Sequence, residues 1–334
     1  MDQGIVSLGQ SLPGNWQIEL SALASLGRRL PVSIDTNIDP TQGPQTITYG
    51  VVDALGAGPI KTSQITVPFF SARLNPNYQQ IDAIESRSNS KYDAAMIRVL
   101  RFGRNGLSLR AHYLYAHATD WNPNETGYVQ VNGVLDPTNF GLEYGTSGLD
   151  IRHSAMVMLL WESRWNGADW ARRAFANWSI SGVGQFRSGL PYTMRVGGYL
   201  PGFYTQSRAL IEGVGPGLNG SGGDNRLYSV GRNTYRYPET YTADFRLGKR
   251  LIFRGDRELE FLAESFNLFN HENVTWIETT GYYISRGSAT GGLPTLNFLT
   301  GLKVNSVEFG KPLIVNGSNY FRPRELQVGV RARF

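Results

Sequence analysis

The side chains in this sequence that could do chemistry form one charged series rather than a catalytic or metal-binding cluster. Glu258, Glu260 and Glu264 follow Asp244, Arg246 and Arg250 across a short turn, and Arg331 and Arg333 lie beside the last residue. Carboxylates two residues apart, such as Glu258 and Glu260, share one face of a strand, where a glycosidase could hold an acid and a nucleophile. Nothing else in the chain supports catalysis, so no enzyme is expected and no catalytic residue is assigned. The four histidines, His112, His117, His153 and His271, show no ligand spacing. With no cysteine, disulfides, Cys-ligated zinc and thiol catalysis are excluded. No metal and no cofactor is expected. Gly222-Gly-Asp-Asn225 has the composition of a calcium loop but reads as a surface loop. The run Gly213–Gly220 contains Pro216 and is followed by no helix, which argues against a dinucleotide fingerprint. Arg254-Gly-Asp256 copies an adhesion tripeptide, but Gly and Asp are ordinary turn residues.

Two larger groups remain. Arg98, Arg110, Asp244, Arg246, Arg250, Glu258, Glu260, Glu264, Arg331 and Arg333 all alternate with apolar residues along extended stretches. They therefore share one face of a sheet. Interspersed signs on such a face can pair across strands, bond an inserted domain or line a ligand path. The second group is aromatic: Tyr192, Tyr199, Phe203, Tyr204, Tyr228, Tyr235 and Tyr237 fall in or beside a Gly- and Asn-rich loop. Such rings suit stacking on sugars or flat ligands, or a girdle at lipid headgroups with loop packing.

The elements that must position these residues are long strands. From Glu239 to Asn270, Tyr241, Ala243, Phe245 and Leu247 alternate with Thr242, Asp244 and Arg246. After the turn Arg254–Arg257, Leu259, Phe261 and Ala263 alternate with Glu258, Glu260 and Glu264. Ordinary strands run about five or six residues; these are roughly twice that, and about 9–11 tilted residues cross a bilayer. An apolar face opposite a charged one then places lipid outside and water inside. The same pattern predicts strands over Ile5–Ser11, Trp16–Gly27, Tyr92–Phe102, Leu107–Tyr115, Arg152–Trp161, Trp178–Arg187 and Leu326–Phe334. A short hairpin is expected around Ile65–Phe70 and Gln79–Glu85, and a helical turn around Trp170–Phe175.

The connections alternate. Short ones fall at 13–15, 103–106, 162–177 and 254–257, and long ones at about 28–90, 120–149, 190–238 and 272–322. Transmembrane barrels have short periplasmic turns and long outer loops. The expected fold is thus all-β, a large antiparallel transmembrane β-barrel with that arrangement of loops. The parity gives an odd number of strands, and Met1-Asp-Gln-Gly carries no signal-peptide pattern. The expectation is accordingly a C-terminal portion of a larger barrel.

Composition agrees. The 334 residues include 17 Tyr, 16 Phe, 7 Trp and 39 Gly, which suits interfacial girdles and turns. The mean hydropathy of −0.28 and the lack of a long apolar run exclude a helical membrane protein. The net charge of +5 is spread singly through strands and turns, so no nucleic acid partner is expected.

Several segments resemble TonB-dependent outer-membrane receptors of the Oar-like type: Trp178–Thr193, Asp150-Ile-Arg-His-Ser154, Gly231-Arg-Asn-Thr234, Glu264–His271 and the ending Leu326–Phe334. The resemblance implies that residues 1–334 are part of a receptor barrel of about twenty-two strands. It implies a Gram-negative outer membrane, a plug and an N-terminal barrel half beyond this chain, and energised uptake of a bulky solute through the TonB complex. Phe334 would then be the signal read by the barrel-assembly machinery. The alternatives are an adhesive or structural barrel that moves nothing, and a soluble secreted β-protein that binds carbohydrate.

Overall fold

The computed structural model describes residues 1–41, 45–70, 72–78, 80–103, 106–122, 134–164, 170, 174–198, 218–220, 226–253, 257–285, 292–299, 308–317 and 321–334. Nine strands form one continuous antiparallel path through the principal sheet. They are β1 (Asp2–Leu12), β2 (Trp16–Asp35), β3 (Asp82–Arg101), β4 (Leu107–Asp120), β5 (His153–Glu162), β6 (Trp178–Arg187), β7 (Thr240–Ile252), β8 (Glu258–Phe266) and β9 (Glu325–Arg333). Each pairs with the next in order. This is an all-β outer-membrane barrel sheet with short periplasmic turns and long extracellular loops.

Register turns the sequence alternation into two faces. Arg246 lies opposite Glu264 and Arg250 opposite Glu260, while Leu247 lies opposite Ala263. On the next strand Glu260 meets Arg331 and Phe261 meets Val330. A one-residue slip would turn every charge toward lipid, so the pattern itself fixes the register. The outer face exposes Val6, Leu8, Phe261 and Val330, as a sheet solvated by lipid must. The β1–β2 turn reverses at Gly14 and Asn15, with φ of 82° and 63°, the left-handed region that Gly and Asn tolerate.

Two expectations are corrected. Strands β2 and β3 do not end near Gly27 and begin near Tyr92. They continue as a paired ribbon to Asp35 and from Asp82, past a register shift between Gly27 and Pro31 where Arg29 has φ of 54°. The extra residue there is a bulge, which re-aims the ribbon without ending it. The hairpin also differs: Gln64–Phe69 pairs with Gln45–Val52, and the segment after Gln80 belongs to the ribbon. Of the expected helical turn, Trp170, Ala174 and Phe175 are helical, and 171–173 lie outside the described residues.

Beyond the membrane strands, three long loops build a second sheet in the order Arg195–Gly198, Thr280–Ser285, Thr295–Phe298, Gln45–Val52, Gln64–Phe69. Its hydrophobic cluster includes Tyr49, Val67, Met194, Leu218, Tyr282 and Leu296, all at most 4 % exposed. The enclosed core of the described residues therefore sits in this extracellular cap.

Candidate functional site

The concave face of the sheet carries a ladder of ion pairs. Arg98 meets Glu19. Arg246 lies 3.4 Å from Glu264, Arg331 3.4 Å from Glu260, Arg333 3.6 Å from Glu258 and Arg250 4.0 Å from Glu162. These side chains are between 18 and 73 % exposed. Pairs so wet contribute at most about 1 kcal/mol each; their weight lies in fixing register and in presenting fixed charges to the lumen. Asp244 accepts the Asn267 N–H at 2.9 Å. Among the described residues Arg110 has no carboxylate partner, and Leu100 and Met158 flank it in register. Eight of the ten expected lining residues are thus brought together as pairs, and Asp244 and Arg110 stand apart.

The sequence reading missed a feature of β5. Its Ala155, Val157, Leu159 and Trp161 face outward as expected. Its other parity, Met156, Met158 and Leu160, is apolar too. An open groove of about 520 Å³ lies on the concave face here, reaching from Leu100 through Met158 and Val183 to Asp244 and Glu264.

The loop aromatics sit in the cap. Tyr192 is 8 % exposed and packs edge-on to Tyr237 at 5.3 Å and stacked on Tyr235 at 5.7 Å. Phe309 closes the group, 5.0 Å from Tyr235. Burial raises the Tyr192, Tyr235 and Tyr237 hydroxyls above their ordinary value. Tyr228 accepts a hydrogen bond from Asn219 at 2.9 Å, and burial pushes it up to about 12. These rings turn toward one another. Tyr199, Phe203 and Tyr204 lie outside the described residues, as does Gly222–Asn225.

Buried charges tie the extracellular loops to one another and to the ends of the strands. The Arg226–Glu143 pair has side chains 1 % and 0 % exposed, and Glu143 also accepts the Leu135 N–H at 2.7 Å. Arg232 donates to the Glu143 carbonyl at 3.1 Å and to the Asp120 carbonyl and carboxylate. Asn233 donates to the Thr146 carbonyl at 2.7 Å. Asp150, with no side-chain exposure, gathers the Ala118 N–H, Arg236, His117 and Arg152. Burial alone would raise its carboxyl, but these donors outweigh it and hold the group below the ordinary carboxylate range. Asn267, at φ 46°, donates to the carbonyls of His271 and Arg322. Residues of the Asp150–Ser154, Gly231–Thr234 and Glu264–His271 segments thus act as corner staples where strands leave the membrane.

Aromatic contacts mark both membrane edges of the outer face. Arg101 covers the Trp16 ring and Lys249 the Trp178 ring near the short turns. At the other end Tyr113 contacts His153, with its hydroxyl 2.7 Å from Nδ1, and Tyr241 stacks on His271 at 3.6 Å. Rings with one polar edge are favoured at that depth. Phe334 ends the chain, 96 % exposed.

No curated protein matches the sequence. The crystal structure of the outer membrane transporter YddB from Escherichia coli superposes with a TM-score of 0.42 at 7 % identity, over 88 % of this chain and 30 % of that one. The chain thus spans about 30 % of that transporter's length. Residues 1–297 match the outer membrane beta barrel domain family, and this chain belongs to that family of the outer membrane.

Proposed function

We propose that the chain is part of the barrel wall of a TonB-dependent, Oar-like receptor, and that the whole receptor takes up a bulky solute by energised transport. The observation that carries this reading is the open sheet. Among the described residues β1 and β9 are its two edges and do not pair with each other. Unpaired backbone groups are untenable in hydrocarbon, so further strands complete the barrel, and a wide barrel is the kind that holds a plug. The charged concave face supplies the polar lining such a lumen needs. In the extracellular loops, the part-exposed edges of Tyr235 and Tyr237, which pack on the buried Tyr192, and the loop residues Tyr199, Phe203 and Tyr204 are the proposed contacts of the solute. The barrel-assembly machinery reads the chain end at Phe334.

The test uses the receptor as it occurs in the outer membrane. Site-specific crosslinking to the periplasmic domain of TonB should yield an adduct whose abundance rises when solute is supplied. An inserted barrel that gives no adduct under any condition would leave a displayed structural or adhesive barrel instead. Release from membranes by carbonate would support the soluble alternative.

A further inference from the structure

The inner face of β3–β6 breaks the charged pattern. In register across these strands, Leu100 lies opposite Arg110, Arg110 opposite Met158, and Met158 opposite Val183. Leu160 and Met156 continue the apolar surface along β5, with Met158 38 % and Leu160 44 % exposed on the concave side. A water-filled lumen gives no physical reason for exposed Met and Leu. Five other arginines of this face meet carboxylates: Arg98, Arg246, Arg250, Arg331 and Arg333. Arg110, in the middle of the apolar stripe, meets none among the described residues.

We propose that this groove binds a lipophilic anion arriving from the lumen water, a solute with an apolar body and one carboxylate or phosphate head. The head pairs with the Arg110 guanidinium, whose forked donors match either group. The body lies on Leu100, Met158, Leu160 and Val183. The groove volume of about 520 Å³ falls in the range of small-molecule sites. Methionine thioethers adapt to differently shaped apolar partners, so the site selects a chemical class rather than one compound. Charge complementarity places an anionic head on the Arg110 side: Glu264 at the far wall is paired with Arg246, and Asp244, which accepts the Asn267 N–H, lies three strands away from Arg110. The inference names the solute class for the proposed transport path. It rests on the concave face being a lumen and not on energisation by TonB.

The experiment is photolabelling in outer membranes that carry the receptor in its natural form. The probes are a diazirine-bearing dodecanoate and the matching dodecylammonium, with labelled residues mapped by mass spectrometry. The dodecanoate probe should mark inner-face positions of β3–β6 and be competed away by soluble dodecanoate. Arg110→Gln should lower that labelling by roughly ten-fold or more, the usual weight of a charge-assisted hydrogen bond, and Arg110→Lys should keep most of it. Met158→Gln should lower it as well. Dodecylammonium should mark only the lipid face. Equal inner-face labelling by both probes would overturn the proposal. So would inner-face labelling unchanged by Arg110→Gln, labelling that soluble dodecanoate cannot compete (a membrane lipid in the groove), or an inserted barrel whose inner face is never labelled (a protein domain covering it). If Arg110→Gln does not insert, the preference of the unaltered protein for dodecanoate over dodecylammonium decides. Loss of TonB crosslinking with labelling intact would sink the uptake reading and leave this one standing.

Discussion

Arg226 and Glu143, 83 residues apart in the chain, form an enclosed ion pair between two extracellular loops. Removing one member leaves the other charge buried without its counterion, which costs about 3–5 kcal/mol. Arg226→Met should therefore loosen the cap, read as faster amide exchange around Leu135 and Leu227 and faster proteolysis of the loops. The membrane strands share none of those contacts, so insertion should be unchanged. Arg226→Met with Glu143→Leu should recover much of the loss, because the pair's value lies in mutual neutralisation.

The Asp150 cluster makes cap anchoring depend on acid in a defined direction. Its folded carboxyl is held below the ordinary value of 3.8. A group depressed in the folded state contributes stability that is fully present above its unfolded value and is lost as pH falls through the folded one. The protection factor of the Ala118 amide, its exchange corrected for the intrinsic pH dependence, should thus be flat above about pH 5 and fall only as the pH drops below the ordinary carboxylate range. Asp150→Asn should make it low at neutral pH and remove that dependence.

The two faces should respond oppositely to charge. Glu260→Gln on the wet inner face breaks an exposed pair and should change barrel stability by less than about 1 kcal/mol. Val330→Arg, one residue from Arg331 but on the lipid face, should cost about 2–4 kcal/mol if it lies near the bilayer midplane. Detergent-to-urea unfolding of the two variants in lipid provides the comparison.

The nine membrane strands were legible because each carries an apolar residue at every second position over most of its length, and in all but β5 the other parity is largely polar. Phe261 and Glu260 need no context to be assigned to opposite faces. The cap was not legible. Its sheet pairs Thr295–Asn297 with Gly50–Val52, and Arg195 with Thr280, segments separated by long stretches of chain, and no local pattern announces such contacts. The β2–β3 ribbon was missed because the alternation lapses near Gly27 and a polar stretch follows, whereas a bulge between Gly27 and Pro31 carries the pairing on. The charged ladder was legible as residues, but its partners were not: Arg98 finds Glu19 and Arg250 finds Glu162 only through register. The apolar groove escaped notice because β5 is apolar on both parities, which a reading that stops at the first matching face overlooks.

The chain end supplies a kinetic prediction. Among the described residues Phe334 is 96 % exposed, at the end of the edge strand β9, so Phe334→Ala should cost the inserted barrel no more than its contact with the strand that completes that edge. If the assembly machinery reads this residue, the variant should accumulate as unassembled periplasmic protein, measured by pulse-labelling. Normal assembly kinetics would remove that role.

The most direct test is an alternating cysteine scan along β8, made clean by the absence of any native cysteine. Spin labels would be placed singly from Glu258 to Glu264 in lipid, and oxygen and a water-soluble relaxant compared at each position. The structure predicts a period of two, with oxygen dominating at Leu259, Phe261 and Ala263 and the aqueous relaxant at Glu258, Glu260 and Glu264. Aqueous relaxation at every position, or no alternation, would contradict a membrane-spanning sheet with its charges on a water-filled side.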